Sequence, residues 1–205
     1  MKLLPKNSIM DEMTKLSDFI KTYDQVLPEK ICADIISLFD SNKNYQSRVN
    51  NNKRPNFTEM NFTANLDKLD ASAGQFHSAL LDSFRKVKVE YFQTVISKAF
   101  DGTSFVPDRH GWEQFRIKKY NKSGDQFKEH VDIGDTSSSK RYLAFLLYLN
   151  DNFSGGETEF TTCGLTIQPK TGTVVVFPPT WNFPHQGNKV TSGEKYILST
   201  YLNYL

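Results

Sequence analysis

From Trp112 to the C-terminus the chain is a succession of short apolar runs separated by turn residues, and this pattern limits its fold more than any other. Tyr142 to Asn150 is an apolar run closed by Asn150-Asp151. Glu157–Phe160, Leu165–Gln168, Gly172–Phe177 and Lys195–Tyr204 follow, rich in β-branched and aromatic residues and punctuated by Gly and Pro. Ahead of them, Phe115, Ile117 and Lys119 alternate with Arg116, Lys118 and Tyr120, the two-residue period of a strand. Short strands at close spacing predict an antiparallel sandwich or barrel. The first half has a different period. Ile31, Ile35, Ile36, Leu38 and Phe39 recur at helical spacing after Pro28, which predicts a helix over 27–41. Residues 66–100 carry an apolar face of Leu80, Leu81, Phe84, Val87, Val89, Tyr91, Phe92, Val95 and Ile96, and predict one or two helices packed on the core. Between them, residues 42–61 crowd Asn and Lys together and read as a polar loop, a candidate lid. A helical layer followed by an all-β half is an α+β arrangement. The expectation is one domain over 1–205, with 1–111 a mainly helical support region and 112–205 the β core.

At 205 residues the chain has the size of one domain. It can bury about 70% of its unfolded surface and needs no disulfide or structural metal to fold. A hydrophobic content of 38% and a charged content of 23% exclude wholesale disorder, collagen and coiled coil. The net charge of +2 argues against a dedicated nucleic-acid partner. Cys32 and Cys163 lie far apart, make no metal-ligand spacing and suggest a reduced compartment. No apolar run reaches 18 residues, so no membrane span is expected. Met1 to Asn7 breaks off before a signal-peptide core, which points to a cytoplasmic protein. No feature bears on oligomeric state.

The chemistry rests on four histidines, His77, His110, His130 and His185. His130 and Asp132 are two positions apart, so in an extended segment an imidazole and a carboxylate share one face. Taken alone, such a pair also suits a solvated turn. His185, after a Pro-rich turn, is placed to deliver a third ligand from a later strand. Two His and one carboxylate make a facial triad that leaves positions on Fe(II) for a chelating cosubstrate and O₂. Lys195 opens the last strand, where its point charge could hold the far carboxylate of a dicarboxylic acid. His77, within a helical pattern, and His110, in a loop, read as structural or surface residues.

These residues resemble a known family. The stretch from Trp112 to Leu205 is similar to the catalytic core of Fe(II)- and 2-oxoglutarate-dependent dioxygenases, in their prolyl 4-hydroxylase-like branch. The resemblance is carried by Tyr120 to Asp132 with its Tyr, Gly, aromatic and His-x-Asp pattern, and by Arg141 to Asn150. Gly155-Gly156-Glu157-Thr158-Glu159-Phe160, Pro169-Lys170-Thr171-Gly172 and Phe177-Pro178 follow in order, then His185-Gln186-Gly187 and Gly193-Glu194-Lys195-Tyr196. Phe19 to Phe39 also looks like the family's first strand and helix.

The resemblance implies a double-stranded β-helix, or jelly roll, with the N-terminal helices packed on one sheet and the metal in the barrel mouth. It implies that His130, Asp132 and His185 ligate Fe(II) and that Lys195 binds the 5-carboxylate of 2-oxoglutarate. Tyr148 and Tyr120 match tyrosines of the cosubstrate pocket. Ser199 and Tyr201 share the face of Lys195 on the last strand, where they could touch the cosubstrate or pack beside it. The implied cofactors are Fe(II), 2-oxoglutarate and O₂, with ascorbate as an added reductant. The implied substrate is a proline-containing peptide or protein. Trp112, Trp181, Phe183 and the 42–61 loop are candidates for its groove, and Arg141 is a further candidate contact. Gly155-Gly156 reads as a turn. Two other readings stay open: an oxygenase of the same kind acting on another side chain, a small molecule or a nucleic-acid base, and a non-catalytic metal-binding barrel.

Overall fold

The structure, a computed structural model, describes residues 15–50, 55–96, 107, 109–122 and 124–205. In chain order its elements are β1 (Lys21–Tyr23), α1 (Glu29–Ser41), β2 (Gln46–Asn50), β3 (Asn56–Asn61) and α2 (Ser72–Tyr91). Then come β4 (His110–Trp112), β5 (Arg116–Asn121), β6 (Phe127–His130), β7 (Arg141–Tyr148), β8 (Ser154–Gly155) and β9 (Thr158–Phe160). β10 (Leu165–Ile167), β11 (Val174–Phe177), β12 (His185–Gly187), β13 (Val190–Ser192) and β14 (Glu194–Tyr204) complete the chain.

Two antiparallel sheets face each other. The larger has the order β1-β11-β7-β14-β5-β3-β2, with β4 paired to the far end of β14. The smaller has the order β10-β9-β12-β6, and β8 and β13 form a ribbon beside them. This is the expected double-stranded β-helix core. Alternation along each strand of the larger sheet feeds two separate cores. Tyr196, Leu198, Leu143, Phe145, Leu147, Val174 and Val176 point out against the helices. Ile197, Ala144, Tyr148, Val175, Phe177 and Tyr120 point in toward Phe160 and Phe183. Both faces are covered, so β11 and all but the first residues of β7 are apolar runs that do not alternate with water-facing residues.

The helices cover the outer face as expected. In α1, Cys32, Ile35, Leu38 and Phe39 are buried at helical spacing. The helix stops where the Asn42 side chain donates to the Leu38 carbonyl at 2.8 Å. In α2, Ala73, Leu80, Phe84, Val87 and Tyr91 form the buried stripe. Phe84 lies 5.6 Å from the rings of both Phe115 and Phe145 and 6.0 Å from that of Trp112. A single helix with a π turn at Phe92–Ile96 therefore accounts for most of 66–100, and residues 97–100 lie outside the described residues.

Two expectations are corrected. Within 42–61 the described residues form a hairpin, not a loop. β2 pairs with β3, and β3 pairs with β5 in the register Thr58↔Lys119 and Met60↔Ile117. Phe57 and Met60 are buried on opposite faces, and these two anchors decide the conformation despite the polar composition. No lid is formed by the described part of this segment; residues 51–54 lie outside it. The segment 1–111 is likewise not a separate helical layer. β1, β2 and β3 are strands of the larger sheet, and β4 runs across the expected 111/112 boundary.

Candidate active site

His130 and His185 are direct partners in the register between β6 and β12 on the smaller sheet. Their rings are 4.4 Å apart between centroids. Asp132 follows His130 by two residues. One ligand atom from each of His130, Asp132 and His185 lies within 4.8 Å of the others. The imidazoles are pre-aimed. His130 Nδ1 lies 2.8 Å from the Lys128 carbonyl and His185 Nδ1 lies 3.1 Å from the Phe183 carbonyl. A carbonyl only accepts, so Nδ1 is the donor in each ring and Nε2 is the atom that faces Asp132. Those Nε2 atoms sit 3.6 Å from the two oxygens of Asp132. Phe127 stacks on the His130 ring at 3.5 Å between centroids, which fixes the ring's tilt.

Asp132 is held just as firmly. Its Oδ1 accepts from the Tyr201 hydroxyl at 2.9 Å, and its backbone carbonyl accepts from Arg141 Nη1 at 2.9 Å. Burial alone would raise the Asp132 carboxyl. His185, His130 and the Tyr201 hydroxyl outweigh it and hold the group well below the usual carboxylate range. Burial pushes the His185 imidazole down, against the opposing pull of Asp132. The site thus contains an ionised carboxylate and a neutral imidazole, the protonation states a metal requires of its ligands. Two nitrogens and one carboxylate on one side of a buried cavity suit Fe(II) with open positions opposite.

Lys195, Tyr120, Ser199 and Tyr201 line the same cavity as the triad, whereas Tyr148 is fully buried behind the lining residue Thr158. The Lys195 ammonium donates to the Gly156 carbonyl and lies 5.4 and 5.5 Å from the ring centroids of Tyr120 and Tyr148. Gly156 has φ +72°, and a Cβ there would stand 3.0 Å from the Lys195 side chain. The turn expected at Gly155-Gly156 therefore also supplies the carbonyl that steadies Lys195. Burial, only partly offset by Glu157, pushes the Lys195 ammonium down to about 7. The Tyr148 hydroxyl donates to Thr158 Oγ1 at 2.6 Å. Ser199 Oγ is buried with no hydrogen-bond partner among the described residues. An orphaned hydroxyl and a buried ammonium in one cavity fit an acidic small molecule.

The candidate substrate residues fare differently. Trp181 is 82% exposed on the turn before β12. Phe183 is not on a rim: it is buried and meets Phe19 edge-on at 6.5 Å. Trp112 packs on Phe84 and Phe145 against the helix-side core. Arg141 forms a two-pronged ion pair with Glu113 at 2.6 and 2.7 Å and lies 4.0 Å over the Tyr201 ring, so it braces Asp132 through that residue's carbonyl. His77, beside Thr63 and between Phe62 and Phe115, and His110, in β4 with Nε2 2.9 Å from Lys88 Nζ, are away from the triad. Sequence reasoning missed Lys118, Thr158 and Phe127, all of which line the cavity. The period-2 pattern already puts Lys118 on the face of Tyr120, but a strand lysine is read as solvated by default.

Residues 115–203 match the family model of the 2OG-Fe(II) oxygenase superfamily. A protein of Acanthamoeba polyphaga mimivirus assigned as a prolyl 4-hydroxylase is 39% identical over 83 residues, 37% of this chain and 33% of that protein. An Arabidopsis thaliana protein assigned as prolyl 4-hydroxylase 9 is 28% identical over 160 residues, 64% of this chain and 52% of that protein. The chain thus spans about a third to a half of the length of these curated relatives. The crystal structure of a viral collagen prolyl hydroxylase from Paramecium Bursaria Chlorella virus-1, in its 2OG complex, superposes with a TM-score of 0.65 at 20% identity. That superposition covers 91% of this chain and 97% of the other. The matched segment contains the triad, Lys195, Tyr120, Tyr148, Ser199 and Tyr201.

Proposed function

We propose that this chain, whose residues 115–203 match the family model of the 2OG-Fe(II) oxygenase superfamily, is an Fe(II)- and 2-oxoglutarate-dependent dioxygenase that hydroxylates a prolyl residue of a peptide or protein. The observation that carries the reading is the buried set of His130, Asp132 and His185, with ligand atoms within 4.8 Å of one another and Lys195 lining the same cavity. The prolyl specificity is supported by the relatives named above.

Fe(II) bound with 2-oxoglutarate and O₂ supplies an oxidative decarboxylation that places one oxygen atom on a substrate carbon and yields succinate and CO₂. The chain's own residues do the rest. His130 and His185 would turn their Nε2 atoms to the metal, because the Nδ1 of each is engaged by a backbone carbonyl. Asp132 supplies the one anionic ligand and is kept ionised and oriented by Tyr201 and Arg141. Lys195 neutralises a carboxylate at the closed end of the cavity, where low dielectric makes the pairing count for more than in water. Tyr120 walls the cavity beside Lys195, and Tyr148 stands behind the wall with its hydroxyl on Thr158. Ser199 offers its free hydroxyl to the same ligand. Trp181, exposed on the turn that leads into His185, is the surface aromatic offered to a bound peptide.

The test is incubation with Fe(II), 2-oxoglutarate, ascorbate and short proline-rich peptides, followed by succinate release and by mass spectrometry. The expected result is a gain of one oxygen per turnover, abolished in His130→Ala and His185→Ala. A well-folded protein that binds Fe(II) and 2-oxoglutarate but oxidises no proline peptide would sink the prolyl assignment.

A further inference from the structure

Lys118 is a second lysine in the cavity, and the chemistry described above does not use it. It sits in the middle of β5, opposite Glu59 on one side and Ile197 on the other. Its side chain therefore shares the inward face of Tyr120, whose partner is Lys195. It is 9% exposed and lines the cavity with His130, Asp132, Ser199 and Tyr201. The ammonium lies 5.1 Å from the Phe57 ring centroid and 5.8 Å from that of Phe127, the ring stacked on His130. Among the described residues no hydrogen bond or ion pair engages it. The nearby Glu59 is already bound to Arg116 at 3.1 Å.

An ammonium in this cavity with two aromatic rings against it, and only the more distant charges of Glu59 and Asp132 to offset it, is incompletely compensated. The charge count of the cavity says what would satisfy it. Lys118, Lys195 and Asp132 leave one net positive charge. A divalent metal on the triad adds two, and a dicarboxylate removes two. One positive charge then remains uncompensated on the Lys118 side. We infer that Lys118 is a second carboxylate anchor of this cavity, so that the preferred substrate carries an acidic group beside the carbon that reacts. This rests on the oxygenase reading above and narrows its substrate class to acidic prolyl sites. The same chemistry could be met by the metal-side carboxylate of 2-oxoglutarate, and the experiment separates the two.

Isothermal titration of the Mn(II)-loaded protein would measure dissociation constants for 2-oxoglutarate and, with 2-oxoglutarate present, for two amidated proline peptides differing only by Glu or Gln next to the proline. Wild type, K118M and K118R are compared, with K118Q replacing K118M if the latter does not fold. The expected result is a preference for the Glu peptide of at least about tenfold, or about 1.4 kcal/mol, lost in K118M and largely kept in K118R, with 2-oxoglutarate affinity within about twofold of wild type. Loss of 2-oxoglutarate affinity in K118M, with the peptides alike, would keep the anchor and assign its carboxylate to the cosubstrate. Unchanged 2-oxoglutarate affinity and unchanged peptide preference in K118M would overturn the inference alone. A wild-type protein that binds no 2-oxoglutarate would overturn it together with the oxygenase reading.

Discussion

Asp132 is aimed by groups that stand behind it. Tyr201 holds one oxygen and Arg141 holds the backbone carbonyl. Tyr201→Phe removes the hydroxyl and keeps the ring on which Arg141 lies. Metal affinity should fall about 10–100-fold while the melting temperature changes little, and Mn(II) titration beside thermal denaturation would test this. Lys195 gives a pH prediction. Its folded-state value of about 7 lies below that of an ordinary lysine. Between about 7 and the unfolded value near 10.4 the native state binds fewer protons than the unfolded chain. The stability contributed by this group is therefore complete above that window and is lost as pH falls through about 7. A bound carboxylate favours the ammonium and reverses the shift. Binding of 2-oxoglutarate at pH 8.5 should take up close to one proton, and affinity should weaken up to tenfold per pH unit above 7. Titration calorimetry in buffers of different ionisation enthalpy reads the uptake directly. Lys195→Met should abolish it.

At the scale of elements, the hairpin β2–β3 is tied to the β5–β6 turn by one ion pair. Both guanidinium nitrogens of Arg48 reach the buried Asp125, at 2.8 and 2.5 Å, and Asp125 also accepts from the Asn121 backbone at 2.9 Å. Arg48 is part-exposed, which screens its share, but Asp125 would be left buried without its cation. Arg48→Met should cost about 2 kcal/mol, or about 4–8 °C in melting temperature. The hold of α2 on the sheet is larger. Phe84→Ala removes a ring packed against Trp112, Phe115 and Phe145 and should cost about 3–4 kcal/mol. Chemical denaturation measures both. The α1 helix and the long strands β7 and β14 were legible because their periods are unbroken. The strand pair β2–β3 was not, because its few apolar residues are held by neighbours far along the chain.

In the proposed reading, the whole molecule joins a metal triad at the edge of the smaller sheet, His130, Asp132 and His185, to Lys195 on the larger one. Ligands that bridge the sheets should therefore stabilise the fold. Mn(II) with 2-oxoglutarate at about a hundredfold excess over its dissociation constant should add about 2.7 kcal/mol, and His185→Ala should remove the gain in a thermal-shift measurement. The sequence by itself determined the α+β class, the triad's spacing and the position of Lys195, because a two-residue step and a strand period depend only on local geometry. It also carried the order of motifs by which the family is recognised. Only the tertiary structure decided that Phe183 is core and Trp181 is surface, since both sit in one polar turn with the same local signal. It alone decided that Arg141 braces Asp132 and that residues 42–61 extend the sheet. It alone placed Lys118 in the cavity, because a lysine is buried by what the opposite sheet covers, and that partner lies in distant sequence.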